Sequence, residues 1–436
     1  MTVTSQWPFP DTRSAAQLAH DRADVRRQVD VLLEAQPQVV ERIRVRRGAA
    51  GSPILAFAPD DTDRRILVAE NEIVVDPTPE QRPQLGALLA GYRGRERRER
   101  SRGQRTRVFS SDQPRDLESL RTDAKRLRRL GVTANVNMIV PLGYVIKGSS
   151  YPGVTVAPRP FATNGAVAPV RVAIIDTGLT DQVRTDNWIQ QVQNRGTDPL
   201  DVVAPLQRID WFGGHGTFAT GIVRQIAPDC DVWVYRFTGP DGLGTDEAAA
   251  DMMIQAADDA AGQRVIINAS FGAPAVDGVP PLALQEAVDY VHNTYPKALI
   301  VASAGNDGQD LPHFPAAFPG VVSVGALNSD LSPAAFSNHG AWLDCSSVGV
   351  GVVSTYVQGV LPPDTGLGAD ITFGPDAWAT WSGTSFAAPQ ISAAVAALCG
   401  ADASLTPRNA FTQLIGPRPD QPGYGKVVHV LPGTPL

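Results

Sequence analysis

Four short stretches put reactive side chains where apolar runs end. "VAIIDTG" makes Asp176 the first polar residue after four apolar ones, and "GGHGTFATG" sets His215 behind two glycines. "VASAGNDG" holds Asn306 in a Gly-flanked turn, and "GTSFAAP" places Ser385 at the start of an Ala-rich helix. A hydroxyl, an imidazole, a carboxylate and an amide are the parts of an acyl-transfer site: nucleophile, base, orienting group and oxyanion donor. Alone, each has an ordinary reading as a turn residue, a satisfied polar group or a helix cap. Capping needs one hydroxyl, yet "TWSGTSFAAP" crowds Thr380, Ser382, Thr384 and Ser385 ahead of one helix.

These residues need a scaffold that gathers strand ends. Short apolar runs at 170–176, 232–237, 264–270, 298–305 and 321–327 lack polar alternation, and helix-like stretches at 246–262 and 282–295 separate some of them. That pattern predicts an α/β fold with a parallel sheet covered by helices on both faces. Functional groups in such sheets collect beyond the carboxyl ends of the strands.

Before residue 160 the texture changes. Stretches 23–43 and 114–131 read as helices, 64–77 as a strand or hairpin and 132–140 as a strand, which predicts a smaller α+β unit over 1–160. The Pro/Gly-rich 148–169 reads as a linker, with the connection starting at about 141, and 161–436 forms the second domain. The basic run 92–107 reads as a solvated segment; it has no aromatic interleaving to favour nucleic acid.

In the chain order Asp, His, Asn, Ser, the motifs "DTG", "HGT", "AGN" and "GTSFAAP" resemble the subtilisin-like serine protease family, with likeness over roughly 168–430. The resemblance implies a subtilisin-like sheet and a serine endopeptidase. Ser385 would attack, His215 would take its proton, Asp176 would orient the imidazole and Asn306 would donate to the oxyanion. An extended peptide would pair between Gly242, Leu243, Gly244 on one side and Ser270, Phe271, Gly272 on the other. The front unit would then be propeptide-like, binding the cleft intramolecularly in a zymogen. His313 in "LPHFPAAFP" stands where relatives often carry a small residue beside the specificity pocket. The calcium loop that interrupts the helix after the catalytic His in many relatives is missing, so no metal and no cofactor is expected.

Bulk properties fit this reading. The 436 residues carry a net charge of −7, and 43% are hydrophobic. Residues 1–160 hold 27 Lys and Arg against 19 Asp and Glu, while the remainder holds 11 against 26, so a basic front faces an acidic back. Three scattered cysteines give neither a disulfide framework nor a thiolate metal site. No run of about 20 apolar residues spans a membrane, and no leader pattern is visible, which predicts a cytoplasmic location. Expected partners are protein or peptide substrates, with no membrane and no nucleic acid. Two competing readings are a catalytically silent binding protein on the same fold and an aspartic protease using the "DTG" triplets at Asp176 and Asp364. The second leaves His215, Asn306 and Ser385 without a role, and Asp364 sits in loop composition.

Overall fold

The computed structural model describes residues 7–34, 37–49, 51–57, 66–94, 105–143, 151–163, 165, 168–201, 208–362 and 370–436. Its largest sheet has nine strands. Strand Arg171–Asp176 lies inside it, paired in parallel with Val265–Ala269 and with Asp231–Arg236. Ala298–Ser303, Val322–Leu327 and Cys345–Val348 extend it in parallel on the Val265–Ala269 side. Neighbouring residues of one strand face opposite cores, as pleating requires. Val172 and Ile174 pack with Phe218 and Ile391 of helices His215–Ile226 and Thr384–Ala401. Ala173 and Ile175 pack with Met253 and Ile254 of helix Asp246–Asp259. Helix Thr384–Ala401 is long and apolar enough to cross a membrane by composition alone, but its residues are almost all buried inside the molecule.

The front of the chain builds a second sheet. Strand Thr133–Pro141 pairs with Ile66–Asp76, which also pairs with Ile54–Phe57 and Arg107–Ser111. Helix Leu117–Arg129, capped by Asp116, buries Leu120, Ala124 and Leu127 on one stripe. The stretch read as strand or hairpin is a single strand, Ile66–Asp76, whose register shifts between Val68 and Ile73 around Asn71 at φ +64°.

The single helix expected over 23–43 is two helices, α1 (Ala15–Leu33) and α2 (Pro37–Ala49). Pro37 opens the second because its ring lacks an N–H and cannot continue the first. The two helices also divide between bodies. Val40 and Ile43 of α2 join Ile54, Ile73 and Val136 of the front sheet. Val25 and Leu32 of α1 join Ala326, Phe336 and Val350 of the back of the chain, and Trp7 and Phe9 sit with Val170 and Ile222. The two helices of the stretch expected within one unit over 1–160 thus have different neighbours. Most of the basic run, residues 95–104, lies outside the described residues, as does Asp364.

Opposite charges line the contact between the front sheet unit and the rest. Arg46 reaches Asp210 at 2.5 Å, Arg47 reaches Asp241 at 2.7 Å, and Arg121 reaches Asp277 at 2.6 Å. Thr106 Oγ1 donates to buried Glu286 at 2.6 Å.

Candidate active site

Asp176 ends the interior strand Arg171–Asp176, fully buried. His215 begins a helix directly after Gly214, which adopts φ +83°. Its neighbour Gly216 is forced by proximity, since a Cβ there would lie 2.2 Å from the Gly178 carbonyl oxygen. The loop and helix thus bring His215 Nδ1 to 2.8 and 2.9 Å from the two Asp176 carboxylate oxygens. Nδ1 donates there, which leaves Nε2 as the basic nitrogen. The imidazole is packed by Phe212, Trp381 and Phe386.

Ser385 is the second residue of helix Thr384–Ala401, so its backbone N–H belongs to the first turn, which has no intrahelical acceptor. Three of the four crowded hydroxyls have partners of their own, while Thr380 Oγ1 is buried without one among the described residues. Thr384 Oγ1 donates to Asn306 Oδ1 at 2.8 Å and accepts from Gly305 N; Ser382 Oγ donates to Gln28 Oε1 at 2.8 Å. The Thr384 backbone N–H also donates to Asn306 Oδ1, at 2.9 Å. With Oδ1 held by two donors, the Asn306 amide nitrogen is directed the other way. Asn306, His215 and Ser385 line one cavity.

The chain itself runs along that cavity, with Leu142 and Gly143 among its walls. Beyond Pro141 the front strand runs on into the cleft. Leu243, Gly244 and Thr245 pair antiparallel with Pro141, Val140 and Ile139, and Leu142 N donates to the Gly242 carbonyl at 3.0 Å. On the other side Gly272 N donates to the Pro141 carbonyl at 3.2 Å. The Ser385 hydroxyl donates to the Leu142 carbonyl at 2.9 Å and also lies 3.1 Å from the Ser270 carbonyl. No hydrogen bond between Ser385 and His215 is formed among the described residues. Leu243 and Phe271 turn their side chains into the core, so these segments offer backbone to the strand. The glycines answer to aromatic rings: a Cβ on Gly242 would meet Phe212 at 2.2 Å, and one on Gly244 would meet Phe237 at 2.4 Å. His313 lines the neighbouring cavity with Leu142, Gly272 and Asn306, its Nε2 2.9 Å from Asp307 Oδ2.

One buried carboxylate was not singled out from the sequence. Asp198 accepts from Thr177 Oγ1 at 2.6 Å, from Gly214 N at 2.8 Å and from Leu200 N at 3.0 Å. It thereby ties the residue after Asp176 to the residue before His215. Burial, with a smaller push from Asp176, raises its pKa to about 6 against hydrogen bonds that lower it. Between about pH 4 and 6 the folded protein keeps a proton there that the unfolded chain has released, so stability falls as pH rises through that window. Asp198→Asn is expected to remove this decline. Calorimetric melting of both proteins across pH 4–7 checks it; parallel curves would contradict the assignment.

Helix His215–Ile226 runs uninterrupted and the chain re-enters the sheet at Asp231. Among the described residues no group of three or more His, Cys, Asp or Glu could hold a metal ion. The three cysteines are buried and unpaired.

The subtilase family model matches residues 168–415, more than half of the chain. The chain belongs to the subtilase family. It is 30% identical over 242 residues to a thermophilic serine proteinase of Bacillus sp. (strain AK1), covering 52% of this chain and 51% of that protein. It is 29% identical over 231 residues to thermitase of Thermoactinomyces vulgaris, covering 51% and 71%. The match thus spans about half the length of the first of these relatives. Among solved structures, fervidolysin from Fervidobacterium pennivorans, a keratinolytic enzyme related to subtilisin, superposes with a TM-score of 0.58 at 18% identity, covering 86% of this chain and 61% of that one. That likeness is one of fold. The expected cytoplasmic location is corrected by the relatives, which are secreted, extracellular subtilisins and related proteases. Absence of a leader pattern in the first residues is no guide to where this subtilase works.

Proposed function

We propose that this subtilase is a serine endopeptidase held latent by its own front unit. The observation that carries the reading is the Leu142 carbonyl, 2.9 Å from the Ser385 hydroxyl at the end of a strand paired on both sides. Leu142 stands where a substrate residue would present its scissile carbonyl. Rotation of the hydroxyl toward His215 Nε2 starts the reaction. Ser385 Oγ then bonds to the carbonyl carbon as His215 takes its proton, and Asp176 stabilises the imidazolium. The Ser385 N–H and the Asn306 amide receive the oxyanion. His215 returns the proton to the Gly143 nitrogen as the Leu142–Gly143 bond breaks, and water releases the acyl group. Protein substrates bind through main-chain pairing to 242–244 and 270–272, with His313 bordering the side-chain pocket.

The same geometry makes the cut front unit an inhibitor, since its strand still occupies the cleft. Its ion pairs at Asp210, Asp241 and Asp277 add a screenable attraction. Raising salt from 0.1 to 1 M shortens the Debye length from about 10 to about 3 Å, so peptidase activity of processed protein is expected to rise. Unchanged or falling activity would contradict charge-assisted docking. The test of the whole reading is intact mass together with fluorophosphonate labelling. A cut after Leu142 and a label on Ser385 are expected. An unlabelled, uncut protein of 46.4 kDa would favour a catalytically silent binding protein.

A further inference from the structure

We infer that residues 7–33 are a permanent part of the catalytic body, and that Leu32 forms the wall of the cleft on the leaving-group side; the second half rests on reading Leu142–Gly143 as the scissile bond. The arm holds the body through inserted aromatic rings and a buried hydrogen-bond network of its own. Trp7 and Phe9 are inserted among core side chains, Phe9 N donates to the Val430 carbonyl at 3.0 Å, and the Arg159 guanidinium lies 3.9 Å from the Phe9 ring centre. Buried Arg13 donates to Asp21 at 2.8 Å and to Thr434 Oγ1 at 2.9 Å, and Thr155 Oγ1 donates to the same Asp21 oxygen at 2.6 Å. Gln28 Nε2 donates to the Thr380 carbonyl at 2.9 Å and accepts, at Oε1, from Ser382. Helix α1 packs so closely on strand Gly153–Thr155 that a Cβ on Gly153 would lie 2.4 Å from Asp24.

These anchors are apolar or buried and resist salt; the sheet unit shares a buried apolar cluster with the body, Met138 and Ile139 with Met253 and Leu284, and adds partly exposed ion pairs at Arg46, Arg47 and Arg121. The cut after Leu142 leaves α1 and the sheet unit on one chain, so the break between α1 and α2 is where an anchored arm meets the unit that must move off the cleft. Gln28 and Ser382 fix the end of α1 beside the cleft. There Leu32, 2% exposed, lines the cavity that also holds Gly143, His215, Trp381 and Ser385. Gly143 carries the leaving amine of the scissile bond, so a substrate's residue at that position meets Leu32.

The test uses the full-length Ser385→Ala chain carrying two recognition sequences for a sequence-specific endopeptidase, one inserted after Glu34 and one after Gly143. Both are cut and the products are separated by gel filtration in 1 M NaCl. Residues 1–34 are expected to elute with the catalytic body while the piece from 35 to 143 elutes apart. An arm that elutes free, or with the middle piece, overturns its permanence. This readout needs no catalysis, so an inactive wild-type chain would defeat the peptidase reading and leave the arm's standing intact. In active protein, Leu32→Ala is expected to raise kcat/KM for peptides with a bulky first leaving-side residue about tenfold relative to those with glycine there. Because it is a ratio within one sample, partial unfolding does not move it. An unchanged ratio overturns the wall.

Discussion

Ser385→Ala is expected to leave a folded protein of 46.4 kDa that never splits into two chains and hydrolyses no peptide. The expected loss is about 10⁶-fold in kcat, the size it has in subtilisin itself. It is this large because the site acts as one unit: without the hydroxyl, the Asp176–His215 pair has no proton to accept. The substitution removes one oxygen whose partners are two carbonyls, Leu142 and Ser270, both otherwise placed by the strand pairing. Melting should therefore change little. The check is intact mass after prolonged incubation, with peptide turnover measured alongside; a two-chain product from cleanly purified Ser385→Ala protein would remove Ser385 from the nucleophile's role.

Asn306→Leu is expected to lower kcat by about 10²–10³-fold with KM nearly constant, again by the precedent of subtilisin. The amide acts only on charge that develops in the transition state, so ground-state binding is spared. The variant has a second effect specific to this chain. Asn306 Oδ1 accepts from both Thr384 N and Thr384 Oγ1, so leucine leaves a buried N–H without its partner, at a cost of about 1–3 kcal/mol. Steady-state kinetics well below the variant's own melting temperature separate the two effects. A raised KM with kcat untouched would make Asn306 a substrate-binding residue instead.

The strands were legible as apolar runs without polar alternation, and the four candidate site residues as short glycine-containing motifs beside predicted strands and helices. A parallel sheet buried on both faces leaves few other ways to arrange such runs. Asp198 was not legible. It lies in a stretch without periodicity, and its role depends on two hydrogen bonds to residues 21 and 16 positions away. The role of α1 was hidden for a different reason: Val25 and Leu32 make an ordinary buried stripe, and sequence does not say which body the stripe meets. Gly242 and Gly244 suggested room for a substrate backbone, whereas close packing on Phe212 and Phe237 already requires them. The basic run read as merely solvated has one edge in use, since Thr106 binds buried Glu286.

Residues 9–13 lie against residues 430–434, joined by the Phe9–Val430 and Arg13–Thr434 hydrogen bonds. This adjacency makes the molecule suited to circular permutation. A polypeptide running from residue 151 to 434, then through a short linker to residues 7–34, keeps every anchor of the arm on the same chain as the catalytic serine. It also omits the strand that fills the cleft. Such a permuted enzyme would need no maturation step, and its activity would no longer depend on how fast an inhibitor dissociates.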